Sequence, residues 1–262
     1  MKVAVVIPIY KKISDLSLEE KYLIRQLKKV FVTRQIILIV PESIKCEWID
    51  DKNLSVLSFK NYYFTDKNTY SELLCSLSFY NCFKDFDYIQ IVQTDCWVFE
   101  DSLEYFISKG FDYIGAPWMV GGFEGEPQNR LWKVGNGGFS LRKVKSFSSI
   151  INQIYSSKKG LLPVFKNRHR GLIKLIKNAG FRNNLMHYLK KTPGEDIFWC
   201  IYVPTIFNDS EFKIADLPTA AHYSFEVLPE FLFNEITKKR LPMGCHNWLN
   251  NNPDFWKNYI KY

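Results

Sequence analysis

Four short stretches carry residue types that could do chemistry at a polar centre. The first is Gln93-Thr94-Asp95, directly after the apolar run DYIQIV. A carboxylate at the end of a strand can hold a hard divalent cation, and the cation can neutralise a diphosphate leaving group. Asp is also a common turn residue, so a cap on the turn before Trp97 competes with that role. The second stretch is Gly135-Asn136-Gly137-Gly138. Glycines there let backbone approach a ligand closely, and they equally suit a tight hairpin. The stretch does not follow the first strand, so it is not the dinucleotide-binding glycine fingerprint. The third is Glu195-Asp196, after Gly194. Paired carboxylates can divide work, one as general base and one as orienter; acidic residues also favour the first turn of any helix. The fourth is Gly244-Cys245-His246, whose imidazole can bind a metal or donate to a phosphate. His222 competes for that role, while His169 and His187 read as surface residues.

The elements that must position these groups follow from periodicity. Strands are expected at Val3 to Tyr10, Gln35 to Val40, Leu54 to Phe59, Tyr88 to Val92 and Tyr113 to Ile114. Ser17-Leu18-Glu19-Glu20 is a capping box that opens a helix over Leu18 to Phe31. Asn68 is expected to cap a second helix over Thr69 to Cys82, and Ser102 to Ser108 forms a short third. This alternation implies an α/β fold with a mostly parallel central sheet, whose ligands sit beyond the carboxyl ends of the strands. After Pro117 the pattern is less regular. Trp118 to Glu126 reads as a glycine-rich loop, and Lys143 to Tyr155, Arg170 to Leu189, Glu195 to Tyr202 and Pro253 to Ile260 read as helices. The expected organisation is one domain, with a nucleotide-binding half over 1–117 and an irregular helical half over 118–262. The second half includes a basic helical insertion at about 145–191.

The bulk properties bound the function. The chain has 262 residues, 47% of them hydrophobic and 16% aromatic, which suits a packed core and excludes a disordered chain. The net charge of +8 is unevenly placed: residues 127–194 hold fifteen Lys and Arg and no Asp or Glu. Such a block attracts phosphates and acidic lipids. Leu172, Ile173, Leu175 and Ile176, interleaved with Lys174 and Lys177, could lie on an anionic bilayer, although a merely solvated basic face accounts for them equally. The six Cys show no CxxC pair, and no signal peptide or membrane-spanning run is present, so reduced thiols and a cytoplasmic setting, peripheral to the membrane, are expected.

The order of the motifs resembles that of GT-A-type glycosyltransferases. More closely, the chain resembles a bacterial group of glycosyltransferase-like proteins labelled as a domain of unknown function. The resemblance rests on YSELLCSLSFYNCF, DYIQIVQTDCWVF, DYIGAPW, VGNGGFSLRKV, EDIFW and LPMGCHNW. It implies a GT-A-like fold and transfer of a sugar from a nucleotide-sugar donor to a saccharide or lipid-linked acceptor, in bacterial surface-polysaccharide assembly. Gln93 stands where the family's Asp-x-Asp motif has its first Asp, so Asp95 and His246 are left as the implied ligands of a divalent cation, Mn or Mg, and strict dependence on it is open. The resemblance further implies that Pro8, Tyr10, Gln93, Asn136, Gly137 and Gly138 bind the donor. Asp196 would be the general base of an inverting reaction, and Glu195 would hold donor or acceptor hydroxyls. Nucleic acid is not an expected partner. A catalytically degenerate binding protein of the same fold is the main rival. A nucleotidyltransferase is disfavoured because PIYKKISD, after the first strand, lacks a glycine loop.

Overall fold

A computed structural model of the chain describes residues 1–44, 54–156, 194–205 and 207–261. The apolar runs become strands whose alternate side chains face opposite ways, as the pleat requires. In β1 (Val3–Pro8), Ala4 and Val6 join one core, while Val3, Val5 and Ile7 join another. The same division holds in β2 (Gln35–Pro41), where Ile37 and Ile39 oppose Ile36, Leu38 and Val40. The sheet therefore separates two hydrophobic cores, with helices covering each face. Helix α1 (Leu18–Val30) closes one face with Leu23 and Leu27, and helix α4 (Leu103–Ser108) adds Leu103, Phe106 and Ile107. The opposite face is closed by α2 (Lys67–Leu74), α3 (Leu77–Asn81) and α5 (Val144–Ser156). Its centre is aromatic: Phe147 of α5 lies 4.9 Å from Tyr80 and 4.2 Å from Trp199, ring centre to ring centre.

The six-stranded sheet has the order β3 (Leu54–Phe59), β2, β1, β4 (Tyr88–Val92), β9 (Phe139–Lys143), β6 (Tyr113–Ile114). Strands β1, β2, β3 and β4 are parallel. Strand β9 is inserted antiparallel between β4 and β6. The expected mostly parallel α/β sheet is thus present, with β9 an addition that its flanking glycines concealed.

Three local expectations are corrected. The helix expected from Thr69 to Cys82 is two helices. Asp66, not Asn68, caps the first, accepting from the amides of Asn68 and Thr69, and Ser76 caps the second. The stretch from Trp118 to Glu126 is not all loop. Pro117–Met119 (β7) pairs antiparallel with Leu131–Val134 (β8), and the hairpin is braced by Trp118 stacked on Trp132 at 6.2 Å. The helix from Glu195 begins as α-helix over Glu195–Ile197 and widens to π-helix over Phe198–Tyr202. The helix expected over Arg170 to Leu189, and the membrane-facing residues within it, lie outside the described residues.

A second, three-stranded sheet matters for the site. It has the order β10-β11-β5, formed by Ser224–Phe225, Gly244–Cys245 and Trp97–Val98 respectively. Among the described residues no helix is long and apolar enough to cross a membrane. The cysteines described, Cys75, Cys82, Cys96, Cys200 and Cys245, are all free.

Candidate functional site

Strand direction brings the motifs together. Strands β1 and β4 run parallel, with Val6 beside Ile91, so Pro8 and Gln93 emerge at the same carboxyl edge. Strand β9 runs the other way, with Phe139 beside Val92, so the glycine stretch before it arrives where β4 ends. The Gln93 amide donates to the Gly138 carbonyl at 2.8 Å and fixes that junction. Two residues later, Asp95 leads into β5. There Cys245 pairs with Trp97, and Phe225 pairs with Cys245. The residues following Phe225 and Cys245 are Glu226 and His246, and both therefore leave the small sheet beside Asp95.

Ten candidates from the sequence line one cavity of about 730 Å³ at this edge: Pro8, Tyr10, Gln93 and Asp95, then Asn136, Gly137 and Gly138, then Glu195, Asp196 and His246. His222 does not; it sits in the last turn of the helix Leu217–Tyr223. His169 and His187 lie outside the described residues. Pro8, Tyr10, Gln93 and Asp95 also line a side pocket of about 280 Å³ shared with Lys11 and Glu20.

His246 is held from three sides. Its Nδ1 lies 2.8 Å from Glu226 Oε1, while its Nε2 lies 3.2 Å from Gln93 Oε1 and 3.3 Å from Asp95 Oδ1. Burial works to lower its pKa, but the two carboxylates outweigh it and hold the imidazole at about 10. Burial likewise opposes ionisation of Asp95, and His246 overrides it to bring that carboxyl below its usual range. The 3.3 Å contact lacks hydrogen-bond geometry, and Asp95 Oδ1 is a buried atom without a hydrogen-bond partner. Carboxylate oxygen, amide oxygen and imidazole nitrogen thus converge, with the far ring nitrogen braced by Glu226. The two oxygens suit a hard cation such as Mn or Mg, and the imidazole, which becomes a ligand only on losing its Nε2 proton, favours Mn of the two; a carboxylate behind a ligating imidazole is the usual orienting partner. Cys96 lies near the same atoms, but its buried thiol donates to the Gly138 carbonyl at 3.3 Å and its pKa is pushed up, so it is no ligand.

The acidic pair has two different environments. Glu195 is buried and joined to Arg142 Nη2 at 2.7 Å. Arg142 comes from β9, is wholly buried, and also donates to Ser140 Oγ at 2.9 Å and Tyr80 OH at 3.2 Å. Burial raises Glu195 to about 7 despite Arg142, with Asp196 adding repulsion. Its Oε2 has no partner. Asp196 is half-buried; its oxygens accept from the amides of Ile197 at 2.9 Å and Gly137 at 3.3 Å. Burial lifts its pKa as well.

The glycines have steric reasons. A Cβ on Gly137 would fall on the Glu195 carboxylate, and one on Gly138 would fall on the His246 ring. Asn136 sits at φ +66°, and its Oδ1 accepts from the Gly138 amide at 2.9 Å, which leaves Nδ2 buried and unpaired.

Sequence reasoning missed Arg142, Tyr70, Lys67 and Glu226. Arg142 was counted within the basic block as a charge open to anions, whereas it is the buried partner of Glu195. Tyr70 begins a motif rich in apolar residues and gives no sign of a polar role, but its buried, unpaired hydroxyl lines the cavity, as does Lys67. Glu226 stands four residues after His222 and carries no local signature of its own.

No curated protein matches this chain. Mouse xyloside xylosyltransferase 1, in its apo form, is similar in structure at 10% sequence identity and a TM-score of 0.49, over 94% of this chain and 97% of that one. The apo-form glycosyltransferase GlyE of Streptococcus pneumoniae TIGR4 is similar at 15% identity and a TM-score of 0.48, over 94% of this chain and 54% of that one. A family model described as "Protein of unknown function (DUF5672)" runs over residues 53–246, from the threshold of β3 to the imidazole of the site, and the chain belongs to that family.

Proposed function

We propose that the protein is a glycosyltransferase, moving a sugar from a nucleotide-sugar donor to a saccharide or lipid-linked saccharide acceptor. One observation carries this reading. Six buried side-chain polar atoms among the described residues lack a hydrogen-bond partner. Four of them line the one cavity: Tyr70 OH, Asp95 Oδ1, Asn136 Nδ2 and Glu195 Oε2. Buried polar groups are normally paired, and an unpaired one costs about 1–3 kcal/mol. A cluster of them with mixed donors and acceptors suits a hydroxyl- and phosphate-rich ligand.

The roles divide by position. Pro8 and Tyr10, by the side pocket, would hold the nucleotide. Gln93, Asp95 and His246 would hold Mn or Mg, which when bound neutralises charge on the departing diphosphate. Glu226 keeps the His246 ring oriented. Asn136, Gly137 and Gly138 would lie against the donor sugar, with Glu195 Oε2 and Tyr70 OH facing its hydroxyls. Asp196, whose burial makes it a better proton acceptor, takes the proton of the acceptor hydroxyl. The acceptor oxygen then bonds to the anomeric carbon as the carbon–diphosphate oxygen bond breaks. One base with no second nucleophile favours inversion. The basic block supports docking at an anionic membrane face on the cytoplasmic side, in surface-polysaccharide assembly.

The test is a melting panel with UDP, GDP, CDP and CMP, each with and without Mn or Mg. A nucleotide at ~100 times its dissociation constant adds about 2.7 kcal/mol. A selective, metal-dependent rise supports the reading. No shift with any nucleotide would overturn it and favour a degenerate binding protein.

A further inference from the structure

A second groove of about 500 Å³ adjoins the catalytic cavity and shares Asn250 with it. Three segments build it. Pro127 and Asn129 come from the β7–β8 hairpin, Val227 to Glu235 follow directly on Glu226, and Asn250 to Asn252 follow the His246 segment. The chemistry of its lining differs from that of the protein at large. Five asparagines line it, Asn129, Asn234, Asn250, Asn251 and Asn252, and its charged residues among those described are Glu230 and Glu235. Among the described residues no Lys or Arg lines it, although the chain carries a net charge of +8.

Two of these amides serve the fold. Asn250 donates to Asn247 Oδ1 at 2.6 Å, and Asn252 Oδ1 accepts from the Phe255 amide at 3.3 Å. Those of Asn129, Asn234 and Asn251 have no protein partner among the described residues. One wall holds unfavourable backbone, for Leu228 has φ +52°. A bulky residue such as Leu in that region costs free energy, and such positions concentrate at ligand sites. Leu228 and Phe231 add apolar surface to the lining.

We infer that this groove binds a neutral, hydroxyl-rich saccharide, the part of the acceptor remote from the reacting hydroxyl. An amide both donates and accepts, as a sugar hydroxyl does. The carboxylates accept from hydroxyls but repel phosphate, sulfate and uronate. The apolar strip of Leu228 and Phe231 suits the C–H face of a sugar ring. The shared Asn250 makes the groove continuous with the cavity, so a chain of sugars can reach from one to the other. This deepens the transferase reading and rests on it for the word acceptor.

The experiment is saturation-transfer NMR on the full chain, with neutral di- to tetrasaccharides and their uronate-containing and sulfated counterparts. Binding of neutral probes is expected, together with weakening by roughly five- to tenfold in Asn234→Ala and in Asn251→Ala. Both residues are outside the catalytic cavity, so the nucleotide melting shift stays unchanged. Asn129→Ala, on an exposed loop, provides a third variant that leaves the fold intact. Preference for the charged probes, no binding of any probe, or neutral binding indifferent to all three variants would overturn the inference. If the groove fails while the nucleotide shift persists, only the groove assignment falls. If the nucleotide shift fails as well, the transferase reading falls with it.

Discussion

At the scale of single residues, the acidic pair separates into unequal members. Glu195 is committed to Arg142 through one oxygen, while Asp196 rests on backbone amides and faces the cavity. Asp196→Asn is expected to lower transfer by at least ~100-fold, the span of a lost general base, with nucleotide binding kept. Initial rates beside the melting panel check both halves, and unchanged transfer would remove Asp196 as the base. Arg142→Met strands a buried carboxylate, and breaking such a pair costs about 3–5 kcal/mol. Denaturant unfolding measures it, and an effect under ~1 kcal/mol would mean that the pair is not what holds Glu195. The carboxylates, the glycines and the late His were legible because strand-end and turn chemistry has a local signature. Arg142 was not. Its pairing spans residues far apart in sequence, and a lone basic residue in a basic run looks like surface until β9 is seen to bury it.

At the scale of elements, one helix cap reaches into the site. The capping-box Glu20 accepts from the Ser17 amide at 2.7 Å, and its other oxygen accepts from Thr94 Oγ1 at 2.9 Å. Thr94 is the middle residue of the turn that carries Gln93 and Asp95. Lys11 completes the cluster at 2.8 Å from Glu20. Burial opposes ionisation of Glu20, but Lys11, the Ser17 amide and Thr94 outweigh it and hold its pKa below the ordinary 4.5. The sign follows: the contribution is complete above about that value and fades as the pH falls through the folded-state pKa. Glu20→Ala is expected to cost about 1–3 kcal/mol at neutral pH and much less in acid. Melting curves across pH 3–7 would show the two proteins converging, and a pH-independent gap would refute the assignment. The box was visible from Ser17 and Glu20 alone, because caps are local. The partner Thr94 was not, and neither was the break between α2 and α3. There Ser76 restarts a helix that hydrophobic periodicity alone carries straight through.

At the scale of the whole molecule, the parallel half of the sheet was legible from its alternation of strands and helices. The antiparallel β9 and the three-stranded sheet were not, since two-residue strands such as Ser224–Phe225 and Gly244–Cys245 leave no periodic trace. The charge asymmetry bears on where the protein works. Cosedimentation with anionic phosphatidylserine vesicles is expected at ~50 mM salt and lost near ~500 mM, as screening shortens the reach of each charge. Equal partition onto neutral vesicles would count against an electrostatic membrane contact.

The insertion of β9 between β4 and β6 also bears on how the chain folds. The glycine stretch cannot reach Gln93 until β9 has docked. Docking closes a loop from Val92 to Phe139 and buries Arg142 in the same event. Such long closures are slow to form, and they tie a local arrangement to the collapse of the entire core. The junction of Gln93 with the glycine stretch is therefore not a feature that can melt by itself while the sheet stands. Refolding followed by nucleotide binding and by intrinsic tryptophan fluorescence would give one rate, and the ligand would act as a gauge of how much of the population has crossed the main folding barrier.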